Sequence, residues 1–150
     1  MDGITIARAI HVLAVVLWIG GVAFVTLVLM PSIRRGSPPD QWLATFHRFE
    51  ERFAGQARLW VLIAGASGLW MIDRGQMWSR FADLHFWWMH AMLAVWTVFA
   101  AMLFLIEPLG LHQRLKRSGR PATEFRRMEW MHRILLLLAA ITVLGAVAGR

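Results

Sequence analysis

The chain has 150 residues, of which 58% are hydrophobic, and it carries a formal net charge of +7, nine Trp and no Cys. This length fits one domain, and the apolar content is too high for a soluble domain of that size. The lack of cysteine excludes disulfides, thiolate metal sites and covalent attachment of a c-type haem.

Four apolar runs predict an all-α integral membrane protein, a four-helix bundle that forms a single transmembrane domain over residues 1–150. The runs cover approximately residues 4–30, 57–72, 84–106 and 130–148. The second run is short for a hydrocarbon core of ~30 Å. The amphipathic stretch that precedes it, from Ser37 onward, is predicted to continue into it as one helix. The stretch after Arg120, with a proline at its first helical turn, is predicted to lead into the fourth run in the same way.

The distribution of Arg and Lys predicts the orientation of these helices. Between the first and second runs, or at the start of the second, lie Arg34, Arg35, Arg48, Arg52 and Arg58. Between the third and fourth runs, or at the start of the fourth, lie Arg114, Lys116, Arg117, Arg120, Arg126, Arg127 and Arg133. The loop 73–83 contains only Arg74 and Arg80. By the positive-inside rule, both chain ends face outward, and the amphipathic extensions are cytoplasmic. The basic residues thus indicate membrane lipid as a partner and exclude nucleic acid.

Two histidines on different helices share a predicted depth. Both the first and the third span enter from the outside, so His11 and His90 each lie roughly 10 Å below the outer end of a helix. Two such imidazoles suit axial ligation of haem b in a bundle core. Arg8, one turn above His11, is predicted to pair with a haem propionate. For each histidine separately, the alternative is a hydrogen bond between helices.

A second haem between His47 and His132 is an alternative on the inner side. His132 begins the fourth span, and His47 lies on the helix that leads into the second. By helix length, His47 lies outside the core unless its helix bends, so these depths match less well than those of the first pair. His47, His85 and His112 are interpreted as interfacial residues without a ligand, and the second haem is the alternative for His47.

The methionines near the outward loop offer a competing chemistry. Met71, Met77 and Met89 lie close in sequence to His85 and His90. Thioether and imidazole ligands together suit Cu(I). Methionine is also ordinary packing material in membrane proteins, so an outer copper site is kept as an alternative to haem.

Three sequence stretches carry a family resemblance. AIHVLAVVLWIGGVAFVTLVLMPSIRR at 9–35 resembles the first helix of the copper resistance D family and of the related haem-containing membrane protoporphyrinogen IX oxidases. FWWMHAMLAVW at 86–96 and FRRMEWMHR at 125–133 are similar to the last two helices of the oxidase group. The resemblance implies a four-helix membrane bundle with haem b, in which His11 and His90 match the family histidines. The oxidase group has a lysine at the position of Met92, so this chain departs from the oxidase pattern there.

These observations predict a b-type cytochrome of the bacterial inner membrane. It would pass single electrons between a membrane quinol or inner donor and an outer acceptor. A quinone and a redox protein are the predicted partners, and a homodimer is an alternative assembly. Copper transport, protoporphyrinogen oxidation and an accessory role in a larger membrane complex are the alternative functions.

Overall fold

The computed structural model describes residues 2–106 and 121–149, and nearly all of them are helical. The predicted interfacial residue His112 and the basic residues of 114–120 lie outside these ranges. The four long helices are α1, Gly3–Gly36; α2, Trp42–Arg74; α3, residues 87–106; and α4, Pro121–Ala148. Two short 3₁₀ turns, Trp78–Ala82 and Leu84–Phe86, precede α3. The all-α prediction is therefore confirmed.

Three helical segments are long and apolar enough to span a membrane: Gly3–Gly36, Leu84–Leu105 and Pro121–Ala148. The helix α2 is not among them, although the run 57–72 within it was predicted to be the second span. The uncharged part of α2, residues 59–72, is only about 21 Å long at about 1.5 Å per residue. The rest of α2 carries the charged and aromatic residues of the amphipathic stretch.

The ends of the helices follow from local sequence. Asp2 caps α1 by accepting a hydrogen bond of 2.7 Å from the backbone N–H of Thr5. Hydrogen bonding by Thr5, assisted by the charge of Arg8, holds the pKa of Asp2 below its ordinary value. Ser37 is extended and precedes two prolines, which separates α1 from α2. Pro121 begins α4 at a position where its missing N–H costs no hydrogen bond.

Both predicted continuations are confirmed, because α2 and α4 each join an amphipathic beginning to an apolar end without a break. The packing pairs α1 with α2 and α3 with α4. The two pairs meet in a central cluster that consists of Ala14, Trp18, Val22, Val61, Ala64, Phe99 and Leu135. A second cluster consists of Val25, Met30, Ile33, Trp42, Phe46, Phe125 and Met128. We call the end of the bundle that contains the second cluster the basic end, since Arg34, Arg35 and Arg133 lie beside it.

The helices expose an unusual amount of apolar side chain. On α1 and α4 the exposed large hydrophobic residues include Val12, Leu13, Val16, Leu27, Leu137, Leu138, Leu144 and Val147. Large exposed apolar surfaces are rare on soluble monomers and mark contact with a membrane or another protein. This surface, together with the three apolar helices, indicates a multi-pass membrane-associated protein.

Candidate functional site

A cavity of about 270 Å³ lies in the basic half of the bundle, between the central cluster and the basic end. All four helices contribute to its wall, including Trp18 and Val25 from α1, His47 from α2, Leu103 from α3 and His132 from α4. It is partly open to the surroundings, so it is a cleft between the helices and not a closed void. Its volume is just below the range of about 300–1,000 Å³ that is typical of ligand sites.

Two π-helical turns contribute to the wall of this cavity. Val25–Leu29 interrupts α1, and Met102–Ile106 ends the described part of α3. Each turn places two residues on the lining, and Arg58 Nε donates a hydrogen bond of 3.2 Å to the carbonyl oxygen of Leu103. Single π-helical turns in α-helices occur frequently at functional sites. No sequence signal marked these turns, because both lie inside uninterrupted apolar runs.

The side chain of His132 is oriented by its own helix. Its Nδ1 lies 2.9 Å from the carbonyl oxygen of Met128, one turn earlier in α4. A carbonyl oxygen only accepts, so Nδ1 carries the hydrogen and a neutral ring has its lone pair on Nε2. The ring also packs edge-on against Phe46, with centroids 5.9 Å apart.

The side chain of His47 is oriented in a similar way. Its Nδ1 lies 2.9 Å from Oε2 of Glu50, one turn later in α2, and its Nε2 is buried without a hydrogen bond to any described residue. The centroid of Phe46 lies 6.0 Å from this ring. Since the Phe46 ring is about 6 Å from both imidazoles, the ring centroids of His47 and His132 are at most about 12 Å apart. The predicted inner pair is therefore brought to one cavity, and α2 needs no bend for this.

A third polar group on the cavity wall is the indole of Trp18. Its Nε1 is buried and makes no hydrogen bond within the described residues. Buried polar atoms in native proteins nearly always have a partner, and each exception needs an explanation. Two such atoms, Trp18 Nε1 and His47 Nε2, belong to residues that line the same cavity. These two atoms make the cavity the candidate site to be considered first.

The outer pair, His11 and His90, lies toward the opposite end of the bundle. Trp18 of α1 and Phe99 of α3 are in edge-to-face contact, with centroids 5.0 Å apart, which fixes the register of the two helices. At about 1.5 Å per residue, His11 lies about 10 Å along α1 from Trp18. His90 lies about 13 Å along α3 from Phe99, toward the same end of the bundle. Their depths therefore agree to within about 3 Å, close to the sequence prediction.

His11 and His90 have hydrogen-bond partners on different helical elements. Nδ1 of His11 lies 2.9 Å from the carbonyl oxygen of Ala64 and 3.2 Å from Oγ of Ser67, both on α2. Nε2 of His90 lies 3.0 Å from the carbonyl oxygen of Phe81, and its Nδ1 is buried without a partner among the described residues. The ring nitrogen that does not make these contacts is thus Nε2 in His11 and Nδ1 in His90. Arg8 is exposed near Asp2, and its pairing with a propionate stays a prediction.

The residues of the alternative copper site have separate surroundings. His85 is exposed and packs against Phe86 and Trp88, whereas Met89 is buried. Met77 lies against Gly75 at the end of α2. Within residues 2–106 and 121–149, no group of three or more His, Asp or Glu side chains is arranged to hold a metal ion. A haem takes only two axial ligands from the protein, so that finding does not bear on it.

A cluster of charged residues at the basic end was not among the features predicted from the sequence. Glu129 on α4 is buried, with 5% of its side chain exposed, and it forms ion pairs with Arg34 on α1 and Arg133 on α4. A sequence signal existed, because Glu129 and Arg133 have the i,i+4 spacing of paired residues on a helix. The contribution of Glu50 to His47 was also overlooked, although their i,i+3 spacing permits it.

Comparison with protein-family models, with curated proteins and with solved structures finds no match to this chain. Its function is therefore inferred from the cavity and the side chains around it.

Proposed function

We propose that this chain is a membrane b-type cytochrome that binds haem in the cavity through His47 and His132. The observation that carries the proposal is the state of the two imidazoles, which line one cavity with Nδ1 bonded to an oxygen of the protein. This arrangement leaves Nε2 of each ring as the nitrogen able to bind iron. Metal-ligating histidines almost always have their other nitrogen held in this manner.

The remaining wall of the cavity suits an apolar macrocycle with a few polar atoms. Val22, Phe53 and Leu103 keep water away from one side, while Trp18 Nε1 supplies a free hydrogen-bond donor. Glu50 and the Met128 carbonyl oxygen hold the two imidazoles in one tautomer and one orientation. A bound haem would supply one-electron redox chemistry, with a potential set by its axial ligands and by the burial that these residues provide.

We also propose how the protein is oriented in the membrane and on which side its electron donor and acceptor lie. By the positive-inside rule the basic end faces the cytoplasm and both chain ends face outward. The haem site would then accept electrons from a membrane quinol or an inner donor, and the acceptor would lie outside. His11 and His90, at a similar depth near the opposite end, are the proposed ligands of a second haem. The outer copper site and protoporphyrinogen oxidation stay alternative predictions, and no observation on the described residues favours either.

The direct test is an absorption spectrum of the detergent-purified protein, oxidised and then reduced with dithionite, with a pyridine haemochrome assay for haem per chain. We expect a sharp Soret band and reduced α band from haem b. One haem per chain would agree with the cavity alone, and two would add the opposite-end pair. A flat spectrum after expression with adequate haem supply would contradict the proposal.

We expect Glu50→Gln to weaken haem binding and to raise the reduction potential. An amide oxygen is a weaker hydrogen-bond acceptor for Nδ1–H of His47 than a carboxylate is. The imidazole then gives less electron density to ferric iron and binds it more weakly. Loss of such a supporting group typically lowers affinity by about 10- to 100-fold. The measurements are a haem titration and a redox titration of the purified variant.

The matched control is Glu51→Gln. Glu51 also lines the cavity, but it forms no hydrogen bond with His47. It should change neither the affinity nor the potential by more than a small amount. Equal effects of the two substitutions would mean that Glu50 acts only through its charge and does not position His47.

A further inference from the structure

A second concave site lies at the basic end, apart from the haem cavity. It has a volume of about 310 Å³. Its lining residues are Pro31, Arg34, Arg35, Trp42, Glu129 and Arg133. Three of these six are arginines and one is a carboxylate, so the site has a net positive charge.

The one carboxylate is shared between two arginines. Glu129 accepts hydrogen bonds from Arg34 Nη1, at 3.2 and 3.4 Å, and from Arg133 Nη2, at 2.6 Å. The two arginine side chains are still 42% and 47% exposed. A guanidinium has five N–H donors, so each retains several for a ligand.

Arg35 has no such partner. It is exposed on the wall of the same site and forms no hydrogen bond or ion pair with the described residues. Trp42 forms a firm apolar wall beside it, because its Nε1 donates a 2.8 Å hydrogen bond to the carbonyl oxygen of Ser37. Arg34 lies over the Trp42 ring, 5.9 Å from its centroid. The site thus has one wall held in place by a hydrogen bond and more cationic donors than its own carboxylate can use.

We propose that this site binds a phosphate group, either in the headgroup of an anionic phospholipid or as free phosphate. Arginine forks match phosphate oxygens in a bidentate manner, and their donors form short charge-assisted hydrogen bonds with them. Glu129 acts as a positioning residue that holds Arg34 and Arg133 side by side on the wall of the site. Exposed Leu27 and Val28 lie one turn before Pro31 on α1 and offer an apolar surface for an acyl chain. The proposal does not depend on the haem site.

The test is a thermal-stability titration of delipidated protein in a phosphate-free buffer. The three probes are phosphatidylglycerol, zwitterionic phosphatidylcholine and inorganic phosphate. The variant is Arg35→Gln, which leaves the ion pairs of Glu129 intact, and the control is Arg52→Gln, an exposed arginine on α2 that does not line the site. We expect the apparent affinity of the binding probe to fall about tenfold in Arg35→Gln and to be unchanged in Arg52→Gln.

The probes distinguish the two sources of phosphate. Binding of phosphatidylglycerol in preference to phosphatidylcholine, with the tenfold loss in Arg35→Gln, would support a lipid headgroup. Binding of inorganic phosphate with the same loss, and no preference between lipids, would support a free phosphate compound. Wild-type affinity for all three probes in Arg35→Gln would overturn the proposal. An equal loss in Arg52→Gln would also overturn it, since it would show only general charge attraction.

Discussion

His47→Ala and His132→Ala should each abolish haem binding in the cavity, with loss of one haem per chain and of the corresponding Soret intensity. Each substitution removes one of the two Nε2 atoms proposed to bind the iron, so the cavity keeps a single imidazole. A single remaining imidazole holds haem far less firmly than a bis-histidine pair. The measurement is the pyridine haemochrome ratio of each purified variant beside wild type.

Two other variants distinguish loss of the cavity haem from loss of haem at the opposite end. His85→Ala is the control, because His85 is exposed at the opposite end and should retain the full wild-type spectrum. His11→Ala should leave the cavity haem in place and remove only a second haem, if wild type contains two. Loss of all haem in His11→Ala, with a full spectrum in His47→Ala, would move the site to the opposite end. Circular dichroism of every variant separates loss of haem from loss of fold.

The helices could largely be predicted from sequence, and the reason is visible in their composition. Long apolar runs and the prolines between them define α1, α3 and α4 with little ambiguity. The limit appears at α2, where the hydrophobic pattern indicates a helix but cannot say how much of it enters the membrane. Its uncharged part is short, and only packing against α1 makes residues such as Ala57 and Val61 core positions.

The site was harder to predict, for a physical reason. Depth along straight helices could be predicted for His11 and His90, since depth depends only on residue number and rise. The cavity depends on features that spacing does not contain, namely two π-helical turns and the contact of the Phe46 ring with both imidazoles. Depth, the neighbouring Arg8 and the family resemblance ranked the outer pair above His47 and His132, whereas the cavity that His47 and His132 line favours the inner pair.

Gly65→Ala should destabilise the protein by about 1–3 kcal/mol, although alanine is the better helix former. An added Cβ would lie 2.6 Å from Cζ2 and 2.8 Å from Nε1 of Trp96, the residue by which α3 packs on α2. The indole cannot simply rotate away, because its Nε1 donates a 2.8 Å hydrogen bond to the carbonyl oxygen of Val61. Overpacking of this kind costs about 1–3 kcal/mol, and the lost hydrogen bond adds about 1 kcal/mol. The gain in helix propensity offsets only about 1 kcal/mol of this.

Gly55→Ala provides the matched comparison on the same helix. None of the described residues lies within 4 Å of an added Cβ at this position, so only the propensity term remains and the variant should be as stable as wild type or about 1 kcal/mol more stable. The two free energies of unfolding can be measured by titration with sodium dodecyl sulfate in mixed micelles. In the background Trp96→Leu, where the indole is absent, Gly65→Ala should lose most of its penalty. A similar penalty in both backgrounds would show that the contact between Gly65 and Trp96 does not hold α2 and α3 together.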